Sequence, residues 1–226
     1  MLGKKFLVLF GIVLVCLTSS IFLGYSIRQK NNPKKAAYRA RTVLASRISE
    51  DDKRFNTFDY VLKLMYKRNV KTIVETGTAR NGQCNCRGDG CSSPIWGQWA
   101  QKNKAVVYSV DIDPEAVQSS SLACASYLDH MVFATSDSVE FLRDFKKPID
   151  LLYLDSYDFD ISNPVPSQEH HLKEIIAVYP RLHKKSIVLI DDCGLPSGGK
   201  GKLVIEYLLA KGWKIALSEY QVVLIQ

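Results

Sequence analysis

Apolar and polar positions along this chain follow two rhythms. Tyr60-Val61-Leu62-Lys63-Leu64-Met65-Tyr66 and Val204-Ile205-Glu206-Tyr207-Leu208-Leu209 read as helices. Between them lie short apolar runs at residues 72–74, 105–110, 130–134, 149–154 and 186–190, with helix-like segments separating one run from the next. Short buried runs alternating with helices predict strands of one doubly wound α/β domain with a mostly parallel sheet. The pattern holds from residue 55 to residue 226, a length ample for one core. Neither repeats nor low-complexity tracts interrupt it.

Each run ends in a polar or acidic cluster. The first gives way to Glu75-Thr76-Gly77-Thr78 and the second to Asp111. The third is followed by Ser136-Asp137, the fourth by Asp155 and the fifth by Asp191-Asp192. Any one of these acids alone could be a helix N-cap or a solvated turn. Together they read as a site along the carboxyl edge of the sheet, where open α/β folds bind their ligands. Gly77 suits a sharp turn with close backbone approach to a ligand, and Asp111 stands where a carboxylate accepts the ribose hydroxyls of a nucleotide-like cofactor.

These residues resemble those of class I S-adenosylmethionine-dependent methyltransferases, and in particular the metal-dependent small-molecule O-methyltransferases of the catechol and macrolide-sugar types. The resemblance spans residues 55–226. It implies a seven-stranded sheet whose last strand, within Tyr220-Gln221-Val222-Val223-Leu224-Ile225, enters antiparallel. It implies S-adenosylmethionine as cofactor, held by Glu75, Gly77, Thr78, Asp111, Ser136 and Asp137. It further implies a Mg2+-type ion on Asp155, Asp191 and Asp192, which would bind substrate oxygens and lower a hydroxyl pKa. The function implied is methyl transfer to a hydroxyl of a small molecule or sugar. A catalytically silent binding module, or another metal-dependent transferase or hydroxylase on this fold, are the alternatives. In the catechol type a lysine stands three residues beyond the strand-four acid; here that position is Asp158, so Asp155, His170 and His171 become the catalytic candidates.

Three further segments refine the picture. Cys84, Cys86 and Cys91 lack the matched second pair of a structural zinc site, so reduced thiols are expected there. Ser197-Gly198-Gly199-Lys200-Gly201-Lys202 imitates a phosphate loop but misplaces its first glycine, and reads as a flexible loop at the mouth of the site. Residues 6–25 are uncharged, long enough to span a bilayer, and predict an uncleaved membrane anchor over residues 1–25. Residues 26–54 then form a basic linker and helix.

Nine of the 30 Lys and Arg, and none of the 23 Asp and Glu, precede residue 50. The net +7 is therefore a membrane-flank signal, and the remaining chain, slightly acidic, carries no nucleic-acid footprint. More positive charge follows the apolar segment than precedes it, which predicts a cytosolic catalytic domain. The expected partners are a hydroxylated small molecule and the membrane; the sequence leaves the oligomeric state open.

Overall fold

The computed structural model describes residues 40–226. The segment expected to span a membrane lies outside them; among the described residues no helix is long and apolar enough to cross one. Helix α1 (Phe55–Arg68) leads into β1 (Thr72–Thr76), and the short α2 (Cys86–Asp89) precedes α3 (Ser92–Asn103). Then follow β2 (Val106–Asp111), α4 (Pro114–Ala123), β3 (Met131–Thr135), α5 (Ser138–Asp144) and β4 (Ile149–Leu154). The chain closes with α6 (Val165–Val178), β5 (Leu182–Ile190), α7 (Lys202–Ala210), β6 (Lys214–Ser218) and β7 (Val222–Ile225).

The strands form one seven-stranded sheet in the order β3-β2-β1-β4-β5-β7-β6. Strands β1 to β5 pair parallel, and β7 enters antiparallel to both β5 and β6. This is the mostly parallel sheet with an antiparallel last strand that the sequence implied. The five apolar runs all become strands; β5 begins earlier than its apolar run, at Leu182, because the polar His183, Lys184 and Lys185 interrupt the apolar pattern.

Strand periodicity sorts the core into two layers. Ile73, Val107, Leu151, Tyr153, Ile187, Leu189 and Val223 face a layer that includes Phe58, Val61, Leu62 and Met65 of α1 and Ile95, Trp96 and Trp99 of α3. Val74, Leu152, Leu154, Val188, Ile190, Val222 and Leu224 face Leu142 of α5, Ile175 and Val178 of α6, and Val204 and Leu208 of α7. On the first face Phe58, Trp96 and Tyr153 meet in a triangle of rings with centroids 5.4, 5.7 and 6.2 Å apart. Of the edge acids, Glu75 and Asp111 lie on β1 and β2, while Asp155 and Asp191 directly follow the last residues of β4 and β5.

Residues 40–54, expected to be linker and helix, supply Ala40, Val43, Leu44 and Ile48 to that same face, each at most 3% exposed. Arg47 fastens the segment to the domain by donating to Tyr127 Oη at 3.1 Å and to Gln98 Oε1. Leu44→Ala should therefore cost about 2–5 kcal/mol of stability, the range for a buried leucine truncation, measured by chemical denaturation of the full chain. A loss under about 1 kcal/mol would show that the segment does not pack as part of the core.

Candidate active site

The parallel ladders run on past the ends of the strands and set the edge loops side by side. The amide of Gly77 donates to Val110 O at 2.9 Å, that of Asp155 to Thr76 O at 2.9 Å, and that of Asp191 to Leu154 O at 3.1 Å. Gly77 has a φ of +79°, and a Cβ there would lie 2.3 Å from the Asp155 carbonyl oxygen. Only glycine lets the first loop pass so close to the end of β4. The residues expected to bind a cofactor do converge here.

Glu75 is fully buried, and Oε2 accepts hydrogen bonds from Ser93 Oγ at 2.6 Å and Ser109 Oγ at 2.5 Å. Its other oxygen, Oε1, has no hydrogen-bond partner. Burial raises this carboxyl to about 7, although Ser109, Ser92 and Ser93 pull the other way. Asp111 orders the loops around it: Oδ2 accepts from the Thr78 amide at 3.0 Å and Oδ1 from the Asp113 amide at 3.0 Å. Ser136 donates its amide to Asp111 O at 2.9 Å, and Asp137 caps α5 by accepting from the Glu140 amide at 3.0 Å.

A cavity of about 220 Å³ opens between these loops, lined by Asp111, Ile112, Asp137, Ser138, Tyr157 and His170. His170 therefore stands at the Asp111 end of the site, its ring 5.2 Å from that of Tyr157 and its Nε2 3.0 Å from Ser138 Oγ. His171 points elsewhere, into full burial, with Nδ1 donating to Ser167 O at 2.7 Å. Burial lowers its pKa, and its Nε2, which has no hydrogen-bond partner, lies 4.0 Å from the buried Glu174 Oε2. The adjacent histidines thus have different surroundings, one at a cavity and one in the interior.

Asp155, Asp191 and Asp192 do come together, but in a set that does not fit a divalent ion. Lys200 Nζ lies 2.6 Å from Asp155 Oδ1 and 3.1 Å from Asp192 Oδ2, while Arg54 Nε lies 2.9 Å from Asp191 Oδ2 and its Nη2 3.5 Å from Asp192 Oδ1. Tyr153 donates to Asp191 Oδ2 at 3.0 Å, and the Tyr220 hydroxyl donates to Asp192 Oδ1. Among the described residues no group of three His, Cys, Asp or Glu is arranged to hold a metal ion. Nearly all the oxygens expected to bind Mg2+ are paired with the buried cations Arg54 and Lys200, and Asp155 Oδ2 faces the Tyr153 hydroxyl at 3.3 Å.

Burial alone would depress Lys200, yet Asp155 and Asp192 outweigh it and hold the ammonium above the ordinary lysine value. Burial likewise pushes Asp155 well above the carboxylate range, opposed by Lys200 and reinforced by Asp191 and Asp192. Asp158, at the position of the catechol-type lysine, instead pairs with Arg80 across the mouth at 2.6 and 3.0 Å. Both partners are largely exposed, so this pair adds little to stability.

Two expectations about loops also change. Cys86 and Cys91 form a disulfide, leaving Cys84, Cys124 and Cys193 free among the described residues. The glycine-rich segment before α7 is pinned as well: Gln168 Nε2 donates to Ser197 O at 3.0 Å and Gly199 O at 2.9 Å, and Lys200 is only 2% exposed.

Because Glu75 sits above its unfolded value near 4.5, the folded state holds its proton more tightly, and stability is fully present below that pH and lost as pH rises towards 7. The wild type should lose roughly 3 kcal/mol over that interval from this group, and Glu75→Gln should flatten the profile. Denaturant titrations at pH 5 and pH 8 check this; equal slopes in both proteins would remove Glu75 as the cause.

Residues 87–193 match the methyltransferase-domain family. A search of curated proteins returns no match. Solved structures share the fold at low identity. The MycE methyltransferase of the mycinamycin biosynthetic pathway, in complex with Mg, SAH and mycinamycin VI, aligns at TM-score 0.57 and 13% identity, over 83% of this chain and 53% of that one. SAH-bound PaMTH1 of Podospora anserina aligns at 0.54 and 12% identity, over 92% and 95%. A methyltransferase from Geobacter sulfurreducens aligns at 0.51 and 13% identity, over 84% and 87%. Sheet order, edge loops and family match converge on one conclusion: the chain has the class I fold of the S-adenosylmethionine-dependent methyltransferases.

Proposed function

We propose that this protein transfers a methyl group from S-adenosylmethionine to a hydroxyl of a small acceptor. The observation that carries the reading is the cavity of about 220 Å³ at the carboxyl edge of the sheet, lined by Asp111, Asp137, Ser138, Tyr157 and His170. When bound, the cofactor supplies an electrophilic methyl group on a sulfonium.

The chain's own residues would divide the remaining work. Asp111 has lone pairs left after its two backbone contacts and would accept the ribose hydroxyls. Asp137, Ser138, Tyr157 and His170 would wall the adenine side of the same cavity. Gly77 and Thr78 would run beneath the chain linking adenosine to sulfur. Asp155, at the far end of this loop row and with its side chain 19% exposed, would face the acceptor and take its proton. A slightly acidic domain beyond residue 50 suits a small or neutral acceptor better than a nucleic acid. Its tether to a membrane through residues 6–25 belongs to the same proposal, and the disulfide favours the oxidising side of that membrane.

This division separates binding from chemistry. Asp111→Ala should weaken S-adenosylhomocysteine binding by about tenfold to a hundredfold, the loss of charge-assisted hydrogen bonds, measured by calorimetry. Asp155→Asn should keep that affinity within a few-fold while product S-adenosylhomocysteine formation with hydroxylated acceptors collapses. Equal loss of affinity in both variants would mean that Asp155 shapes the fold instead of the reaction.

A further inference from the structure

We infer that Lys200 is a built-in replacement for a divalent cation, so that this site holds its three carboxylates without metal. Lys200 bridges carboxylates from two strands, Asp155 after β4 and Asp192 after β5, through one nitrogen at 2.6 and 3.1 Å. A single compact charge thus lies between acids of neighbouring strands. Arg54 completes the balance from the other side, gripping both oxygens of Asp191 through Nε at 2.9 and 3.1 Å.

The backbone is shaped to deliver that nitrogen. Gly199 has a φ of +54°, and a Cβ there would lie 1.8 Å from the Asp192 carbonyl oxygen. A Cβ on Gly201 would lie 2.4 Å from Cys193 Sγ. The loop thus folds flat against the end of β5, and the Lys200 amide donates to Asp192 O at 3.3 Å. Gly90 plays the same part for Arg54, since a Cβ there would lie 2.9 Å from Arg54 Cδ. Both cations sit where close backbone approach is obligatory, which marks them as fitted parts and not surface side chains folded inward.

The consequence concerns the acceptor. A metal in this position would favour substrates presenting two adjacent oxygens for chelation. An ammonium already saturated by carboxylates makes no such demand, so acceptors with a single reacting hydroxyl suffice. That corollary rests on the methyl-transfer reading; the ion-replacement claim does not, because its test needs no turnover.

The test is Mn2+ titration of the full chain followed by electron paramagnetic resonance, with S-adenosylhomocysteine affinity measured in parallel. Wild type should leave Mn2+ free in solution, and Lys200→Ala should bind it at least about tenfold more tightly, the scale of effects when a metal site's supporting charge is changed. Lys200→Gln serves as the second variant should the alanine protein fail to fold, and Lys200→Arg should still exclude the ion. Tight Mn2+ binding by wild type, abolished by Asp155→Asn, would overturn the inference. So would a folded Lys200→Ala or Lys200→Gln protein that gains no Mn2+ affinity. Loss of S-adenosylhomocysteine binding in wild type, with the Mn2+ results as expected, would overturn the proposed function alone.

Discussion

Three carboxylates packed at the ends of two adjacent strands would repel one another and destabilise any fold that left them bare. Here Arg54 and Lys200 neutralise them, and both cations are at most 4% exposed. Like charges so close in a partly dry environment cannot all persist without counter-charge. The balance ties together parts of the chain far apart in sequence: the residue preceding α1, the ends of β4 and β5, and the loop before α7. Tyr153 and Tyr220 add hydroxyl donors to the acids, and Tyr153 roots the cluster in the ring triangle with Phe58 and Trp96. Removing one partner from such a network leaves an uncompensated buried charge, which costs about 3–5 kcal/mol, far more than the net worth of the pairs when complete.

That cluster also positions the loops at the carboxyl edge of the sheet. Arg54 Nη1 donates to Gly88 O at 3.0 Å, so the residue that pairs with Asp191 also fixes the segment between β1 and α3. The Cys86–Cys91 bridge closes the same segment from the other side. Gly77, pressed on the Asp155 backbone, joins the first loop to the acid cluster directly. The loops proposed to hold cofactor and acceptor are therefore one mechanical unit, spanning the edge of β2, β1, β4 and β5.

Much of this was legible in the amino-acid sequence, and the reason is local. Apolar runs ending in acids specify strands and their edge, and strand parity follows once the runs are placed. Glu75, Gly77 and Asp111 each sit at a run's end, so their convergence could be read directly. Arg54 could not be read, because its partner lies 137 residues away and nothing near it marks a pairing. Lys200 did carry a signal: one lysine set among Gly198, Gly199 and Gly201, read as a flexible loop though glycines serve equally to press a backbone flat against its neighbour. The disulfide escaped for another reason, since an odd cysteine spacing cannot say which two residues turn face to face. Residues 40–54 were grouped with the basic linker that begins at residue 26, because the apolar residues that dock them, Ala40, Val43, Leu44 and Ile48, are too few to announce a helix face.

In the proposed function, the cofactor groove needs no added ion, because its counter-charge is part of the chain. Calorimetric titration of the full chain with S-adenosylmethionine, first in EDTA and then in excess Mg2+, tests this most directly. Saturable binding in EDTA, with an affinity that Mg2+ leaves unchanged, is the predicted result. Binding that appears only with Mg2+, or no binding by a demonstrably folded protein, would contradict it.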